Sequence, residues 1–436
     1  MQKHKLDEYR VKIGKMDSYL LSAIFFSIPL LPRLTTFLII GWAIVCILSF
    51  KKDTWRTFPE RKTLLLSISL YIWILIGLTY TMNLEAGLLK IQTQFSFLLF
   101  PLLLGKKKIG PETREKYFKY FIWGVALATL ICFANALYRY NALGSAYMVD
   151  EFSRKVNIFT YKEFSKILDL HPAYFSLYLG TALFYILHKY NKWGKPLVML
   201  KALSFILLFT ITLFLTSSKA GIYLFTILLV GFVLYWLIKG GKRKVILLLG
   251  TLVSIGAIIA YLISPLPFKR LVYAWSSVQQ VSSEKHTVNE STSIRLDLWR
   301  LSFEVAKESP IIGYGTGSVQ NALNERCIDF RFFSECELLR NKNSHNQYLN
   351  FLLSNGMVFL LIFAIMLGGW LVRAIRVKDE MAVFFLLMLS LNFLFESLLQ
   401  RERGVVFFML FATMLLVSQK EGSLGKSKRL DGIKRN

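Results

Sequence analysis

The sequence predicts an all-α polytopic membrane protein, and three observations predict it. Of the 436 residues, 54% are hydrophobic and 15% aromatic, and the mean hydropathy is +0.47, well above that of a soluble domain. The apolar residues come in runs close to the length of about 20 that a helix needs to cross hydrocarbon. Basic residues alternate between the connections, crowded in one set and sparse in the next, as expected where Lys and Arg stay on the cytoplasmic side.

Read in order, the runs give about twelve spans. The first two, Ser18 to Leu31 and Leu34 to Phe50, are divided by Pro32-Arg33, and a single interrupted span is the competing reading. Thr63 to Tyr80, Gly87 to Leu104 and Tyr117 to Tyr138 follow, and then a polar stretch from Arg139 to Leu170. Next come Pro172 to Tyr190, Pro196 to Thr216, Ala220 to Ile238 and Val245 to Ile263. After a long polar insert, Gln347 to Val372, Met381 to Leu399 and Gly404 to Ser418 complete the set. The resulting organisation is an N-terminal bundle over 1–263, an insert over 264–346, three spans over 347–418 and a basic tail over 419–436.

The net charge of +26 does not describe a nucleic-acid footprint, because the basic residues are spread over many short loops. Lys3, Lys5, Arg10, Lys12 and Lys15 precede the first span, with further groups at Lys51–Lys62 and Lys106–Lys119 and in the tail, while Thr81 to Ala86 holds none. Both termini are therefore expected in the cytoplasm, with the 139–170 stretch and the insert together on the outer face. No small-residue cleavage site follows the basic start, so the first span is expected to remain as an anchor.

In lipid the backbone must satisfy its own hydrogen bonds, so specific chemistry is expected where the chain leaves hydrocarbon, and the insert is the largest such place. Pro265 and Pro267 mark its entry, and Ser276 to Ser293 reads as loop. From Ser293 to Glu308, Ile294, Leu298, Leu301 and Val305 share one helical face, to lie on the bilayer surface or on the bundle. Gly313-Tyr314-Gly315-Thr316-Gly317 predicts a flexible turn; without a strand before it, it is no dinucleotide motif. A second short helix is expected from Ser318 to Cys327. Cys46 and Cys132 lie in apolar runs, whereas Cys327 and Cys336 both fall in the insert, where a disulfide is open if that side is oxidising.

Ionisable groups gather at the outer ends of the spans. Ser344-His345-Asn346-Gln347 has the form of a capping box and puts His345 in the first turn of the next helix. Thr216-Ser217-Ser218-Lys219 holds a lysine at the edge of hydrocarbon, a costly position and by default a functional one, against snorkelling as the bland alternative. His171 precedes Pro172 at another helix start. Glu396 adds a carboxylate near the same level, with Arg401 or Arg403 as its ready partner. Together with Arg295 and Arg300 above them, these residues describe an anion site suited to phosphate. No metal-ligand spacing and no P-loop is present, so neither a cofactor nor an ATP-driven pump is expected.

At these residues the chain resembles the O-antigen ligase and O-antigen polymerase superfamily of membrane glycosyltransferases. Ser293-Ile294-Arg295-Leu296 with Trp299, Pro310-Ile311-Ile312-Gly313-Tyr314-Gly315, and Ser344-His345-Asn346-Gln347-Tyr348-Leu349 look like the family's loop arginine, glycine turn and His-Asn-x-Tyr signature. Asn355-Gly356 fits as well, and Ser217-Ser218-Lys219-Ala220-Gly221 resembles its Ser-Arg-Gly element, with lysine for arginine. That exchange keeps the charge and loses the bidentate fork.

The resemblance implies an inverting, metal-independent transfer of a glycan from undecaprenyl diphosphate to an acceptor hydroxyl in the periplasmic face of a bacterial inner membrane. Lipid A-core is the favoured acceptor, and repeat-unit polymerisation and protein O-glycosylation are the alternatives. His345, Arg295 and Lys219 are implied as catalytic, with Ser218, His171, Arg300, Asn346, Tyr348 and Glu396 contacting substrate. The contrasting class, a lipid-linked sugar flippase, predicts broken helices, charges at mid-membrane and paired repeats, none of which the sequence displays.

Overall fold

The computed structural model describes residues 2–49, 61–107, 109–150, 153, 155–189, 194–238, 243–269, 272, 291–329 and 336–418. The basic tail, most of the Lys51–Lys62 connection and most of the Ser276–Ser293 loop lie outside the described residues. The described residues are mostly helical, and each expected apolar run overlaps a helix, with Gly87 to Leu104 divided between two and Met381 to Leu399 α-helical only as far as Asn392.

The bundle opens with α1 (Gln2–Ser27) and α2 (Pro32–Leu48). They fold back on each other, with the Trp42 indole donating to Asp17 at 2.8 Å and Ser27 bonded to Thr35 at 2.9 Å. The Pro32 break therefore makes a hairpin rather than one interrupted span. α3 (Arg61–Ile76), α4 (Leu84–Gln94), α5 (Ser96–Leu103) and α6 (Pro111–Leu143) follow. Then come α8 (Pro172–His188), α9 (Pro196–Leu215), α10 (Lys219–Ile238) and α11 (Arg243–Ile263). The insert supplies α12 (Ser291–Glu308), α13 (Val319–Asp329) and the short α14 (Cys336–Leu339). α15 (Gln347–Arg376), α16 (Glu380–Asn392) and α17 (Glu402–Val417) close the chain.

Among the described residues, five helical stretches are long and apolar enough to cross a membrane. They are Leu84–Leu103 taken through its break, Pro111–Leu143, Pro196–Leu215, Lys219–Ile238 and Gln347–Arg376. A sixth results if Tyr161–Leu168 and Pro172–His188, bent by 81°, count as one span. α8 and α17 are apolar on every side and correspondingly buried on every side. Aromatic rings lock them to their neighbours: Phe184 stacks on Phe384 at 3.8 Å, Phe118 on Tyr185 at 4.1 Å, and Tyr178 meets Phe407 at 4.7 Å. At the end of the bundle away from the insert, Arg114 pairs with Asp379 at 2.9 Å, His188 lies 3.3 Å from Glu380, and Lys107 pairs with Asp17.

Two elements depart from the expectations. The 139–170 stretch contains an antiparallel hairpin, β1 (Tyr147–Val149) with β2 (Lys155–Asn157), and a short helix α7 (Tyr161–Ser165). Arg139 anchors this module by donating to Glu163 at 2.7 Å. The glycine turn is pinned rather than flexible, and the cause is a break in α15 at Gly356, whose φ of 77° and ψ of −176° are outside the helical region. The break frees backbone groups that a helix would pair internally. Tyr314 N–H donates to the Leu353 carbonyl at 2.8 Å, Gly315 N–H to Ser354 at 2.9 Å, and Met357 N–H to the Pro310 carbonyl at 2.8 Å. Gly313 and Gly315, with φ of 71° and 93°, supply the left-handed conformations this docking needs. Thr316 carries the stitch on to α3, its N–H donating to Gly77 at 3.0 Å and its hydroxyl to Ile74 at 2.7 Å.

The same docking decides where α12 lies. Leu298, Leu301 and Val305 are buried against Leu349, Leu352 and Leu353 of α15, so the predicted apolar face packs on the bundle and not on the bilayer surface. Cys327 and Cys336 form a disulfide, Cα to Cα 5.6 Å, joining α13 to α14.

Candidate functional site

The site forms where α12 crosses the turn between α16 and α17. Asn392 ends α16, and Phe393 to Gln400 runs as turns with a single 3₁₀ segment at Leu398–Gln400. Gln347 holds this segment from below: its N–H donates to the Phe393 carbonyl and its side-chain oxygen accepts from Leu399 N–H, both at 2.7 Å. Glu396 is thereby turned toward the insert. On α12, Arg295 and Trp299 are one turn apart and face the same way; Trp299 approaches Phe395 at 6.3 Å and Arg295 donates to Glu396 Oε1. The other Glu396 oxygen lies 3.2 Å from His345 Nδ1. One carboxylate thus joins Arg295 from the insert to His345 at its exit, residues separated by about fifty positions of chain.

Electrostatics agree with the geometry. Burial alone raises the Glu396 pKa, but the His345 hydrogen bond and the Arg295, His345 and His171 charges outweigh it and hold the carboxyl below the usual value of 4.5. The alternative pairing with Arg401 or Arg403 is not what forms: Arg403 donates instead to the Leu168 carbonyl at 2.8 Å. A carboxylate only accepts hydrogen bonds, so the Nδ1 facing it carries the proton. In the neutral ring, Nε2 is then the basic nitrogen.

The capping box is corrected. The N-cap of α15 is Asn346, whose side chain accepts from Leu349 N–H at 3.1 Å, while Ser344 donates to the Asn346 carbonyl at 2.9 Å. Ser344 and Asn346 are both competent caps two residues apart, and Asn stands first among N-cap residues. His345 therefore precedes the helix rather than entering it, with a left-handed φ of 44°, its N–H held by Asn343 Oδ1 at 2.9 Å.

The remaining expected residues divide. His171 joins the cluster: it caps α8 by accepting from Ala173 N–H through Nδ1 at 3.3 Å. Burial pushes its pKa down to about 4, with Glu396 pulling upward and Lys162, Arg401 and His345 adding to the depression. It is a neutral acceptor. Tyr348 donates to the Ser390 carbonyl at 2.8 Å and its ring meets Phe363 and Phe393, so it braces the helices. Ser218 is buried and accepts from Gly221 N–H at 3.3 Å. Gly221, two residues after Lys219, has no room for a Cβ beside Ser176, so the start of α10 packs closely on the first turns of α8. Arg300 is not brought in; it is exposed, 4.0 Å from Asp297.

Sequence reasoning missed Lys90, Asn350 and Gln400. Lys90 donates to Gln400, and Gln400 donates to Asn350. An isolated Lys in the apolar run after Gly87 was the available signal.

A search of curated proteins finds no match to the chain. Residues 203–364, from α9 through the insert to the middle of α15, match the family model described as O-antigen ligase, and the arginine, the glycine turn and the histidine all lie inside that match.

Proposed function

We propose that the protein is a twelve-span inner-membrane glycosyltransferase that moves a glycan from undecaprenyl diphosphate to an acceptor hydroxyl at the periplasmic face, with lipid A-core as the favoured acceptor. The observation that carries this reading is the Glu396 carboxylate holding Arg295 and His345 together. The Cys327–Cys336 disulfide supports an oxidising compartment for the insert.

In the reaction, the acceptor hydroxyl gives its proton to His345 Nε2 as its oxygen attacks the anomeric carbon. The bond from that carbon to the diphosphate oxygen breaks with inversion, and the lipid diphosphate leaves with the electron pair. Diphosphate is already a good leaving group, so the contribution needed from the protein is charge neutralisation, supplied by Arg295 and Lys219. Glu396 positions both Arg295 and His345 rather than touching the sugar. No step requires a metal, and activity should survive EDTA.

The test is complementation of a deletion strain. His345→Ala and Arg295→Ala should each abolish transfer with membrane insertion intact, and full transfer by both would overturn the site. The deletion phenotype sorts the acceptor: full-length glycans stranded on the lipid carrier indicate a ligase. Single repeats on lipid A-core indicate a polymerase, and normal lipopolysaccharide with unglycosylated proteins indicates transfer to protein.

A further inference from the structure

A second polar feature lies beside the cluster and outside it. Between α4, the glycine turn, the start of α15 and the Gln400–Arg401 segment is a cavity of about 300 Å³, at the lower end of the range for small-molecule sites. Amides line it, among them Gln94, Asn343, Asn350 and Gln400, and two cations, Lys90 and Arg401, reach it. No carboxylate is among its described lining residues. Amide side chains offer donors and acceptors together, the combination that matches sugar hydroxyls. Two cations in the same wall, with no carboxylate among the described lining residues, select a negative substituent.

Lys90 sits on a stretch long and apolar enough to span the membrane, where an ammonium is costly. Among the described residues its hydrogen-bond partner is the neutral amide oxygen of Gln400, and no carboxylate pairs with it. Gln400 is itself held in place by donating to Asn350. Asn343 links the cavity to the chemistry, since it lines the cavity while its oxygen holds His345 N–H at 2.9 Å.

We infer that this cavity binds an anionic sugar unit, its hydroxyls on the amides and its acid group between Lys90 and Arg401, next to the histidine that activates the acceptor. The inference rests on the glycosyl-transfer reading for its ligand class; the charge preference rests on the cavity alone.

The test uses full-length protein in detergent and measures binding of glucuronic acid, glucose, inorganic phosphate and undecaprenyl diphosphate by ligand-detected NMR. Glucuronic acid should bind at least about tenfold tighter than glucose, a difference of about 1.4 kcal/mol. Lys90→Gln should erase that preference and leave undecaprenyl diphosphate binding unchanged, and Arg401→Gln, at a more exposed position, should reduce it. Equal binding of the two sugars, or a preference that survives both substitutions, overturns the inference and leaves Lys90 as a tether to Gln400. Phosphate binding as tight as glucuronic acid, and equally lost in Lys90→Gln, overturns the sugar assignment. Failure of wild type to bind undecaprenyl diphosphate while discriminating the sugars removes the proposed donor and supports the cavity. In a transfer assay, a rise in KM for the donor alone or the acceptor alone supports the inference and assigns the sugar to that substrate.

Discussion

Glu396→Gln changes one charge at the centre of the cluster and almost no volume. The carboxylate side chain is 14% exposed, against 25% for Arg295 and 33% for His345, so it is the most shielded of the three and the one whose charge organises the others. Loss of a charged hydrogen bond at this burial costs about 1.5–3 kcal/mol. If that loss falls on the transition state, it lowers the rate roughly 10- to 150-fold at about 1.36 kcal/mol per decade. The tautomer adds to this. A glutamine amide can donate to Nδ1, which moves the proton to Nε2 and removes the base, and general-base contributions are about 10²–10⁴-fold. The expected result is a kcat lower by about 10²-fold or more, with donor KM nearly unchanged. Glu396→Asp, which keeps the charge and shortens the reach, should fall between. Timed transfer of a fluorescent glycan from undecaprenyl diphosphate in proteoliposomes measures it, and a Glu396→Gln rate equal to wild type at saturating donor refutes the positioning role.

Three further outcomes follow from the same geometry. His171 has a folded pKa of about 4 against 6.5 in the unfolded chain; it contributes nothing above pH 6.5, and stability falls with pH between those values as the unfolded chain takes the proton. His171→Asn keeps a cap acceptor and removes this loss, so its Tm should drop less than wild type between pH 7 and pH 5 in scanning fluorimetry, and equal drops contradict the assignment. Gly356→Ala adds a Cβ that overlaps the Ile311 carbonyl at a backbone conformation nearly exclusive to glycine, a strain of about 1–3 kcal/mol before any displacement; limited trypsin digestion should cut the insert faster, and wild-type resistance would count against the docking. Replacing Cys327 and Cys336 by Ser reopens a short loop and should cost roughly 2–3 kcal/mol by chain entropy, seen as a lower Tm with transfer retained at low temperature.

The helices were legible because hydrocarbon imposes one simple demand, a long apolar run, although among the described residues only five or six stretches meet it at full spanning length. The buried face of α12 was equally legible from Ile294, Leu298, Leu301 and Val305, since one periodicity serves whether the partner is lipid or protein. Glu396 was visible as an odd carboxylate, but its partner was not: Arg401 and Arg403 were the candidates close in sequence, and only the α16–α17 turn brings Arg295 to it. The cap was misplaced because Ser344 and Asn346 carry the same local signal and tertiary bonds from Gln347 chose between them. The break at Gly356 left no periodicity to read, since apolar residues flank it on both sides and its hydrogen bonds are repaid by Pro310, Tyr314 and Gly315 from a distant stretch.

That repair has a consequence for exchange between relatives. Residues 310–317 and 353–357 share backbone bonds as two halves of one seam, and residues 74–77 hold its far edge. A chimera that imports a foreign insert while keeping its host's helix would match one half of the seam to the wrong counterpart. Moving the insert between proteins therefore calls for moving both halves together, with the junctions placed beyond them.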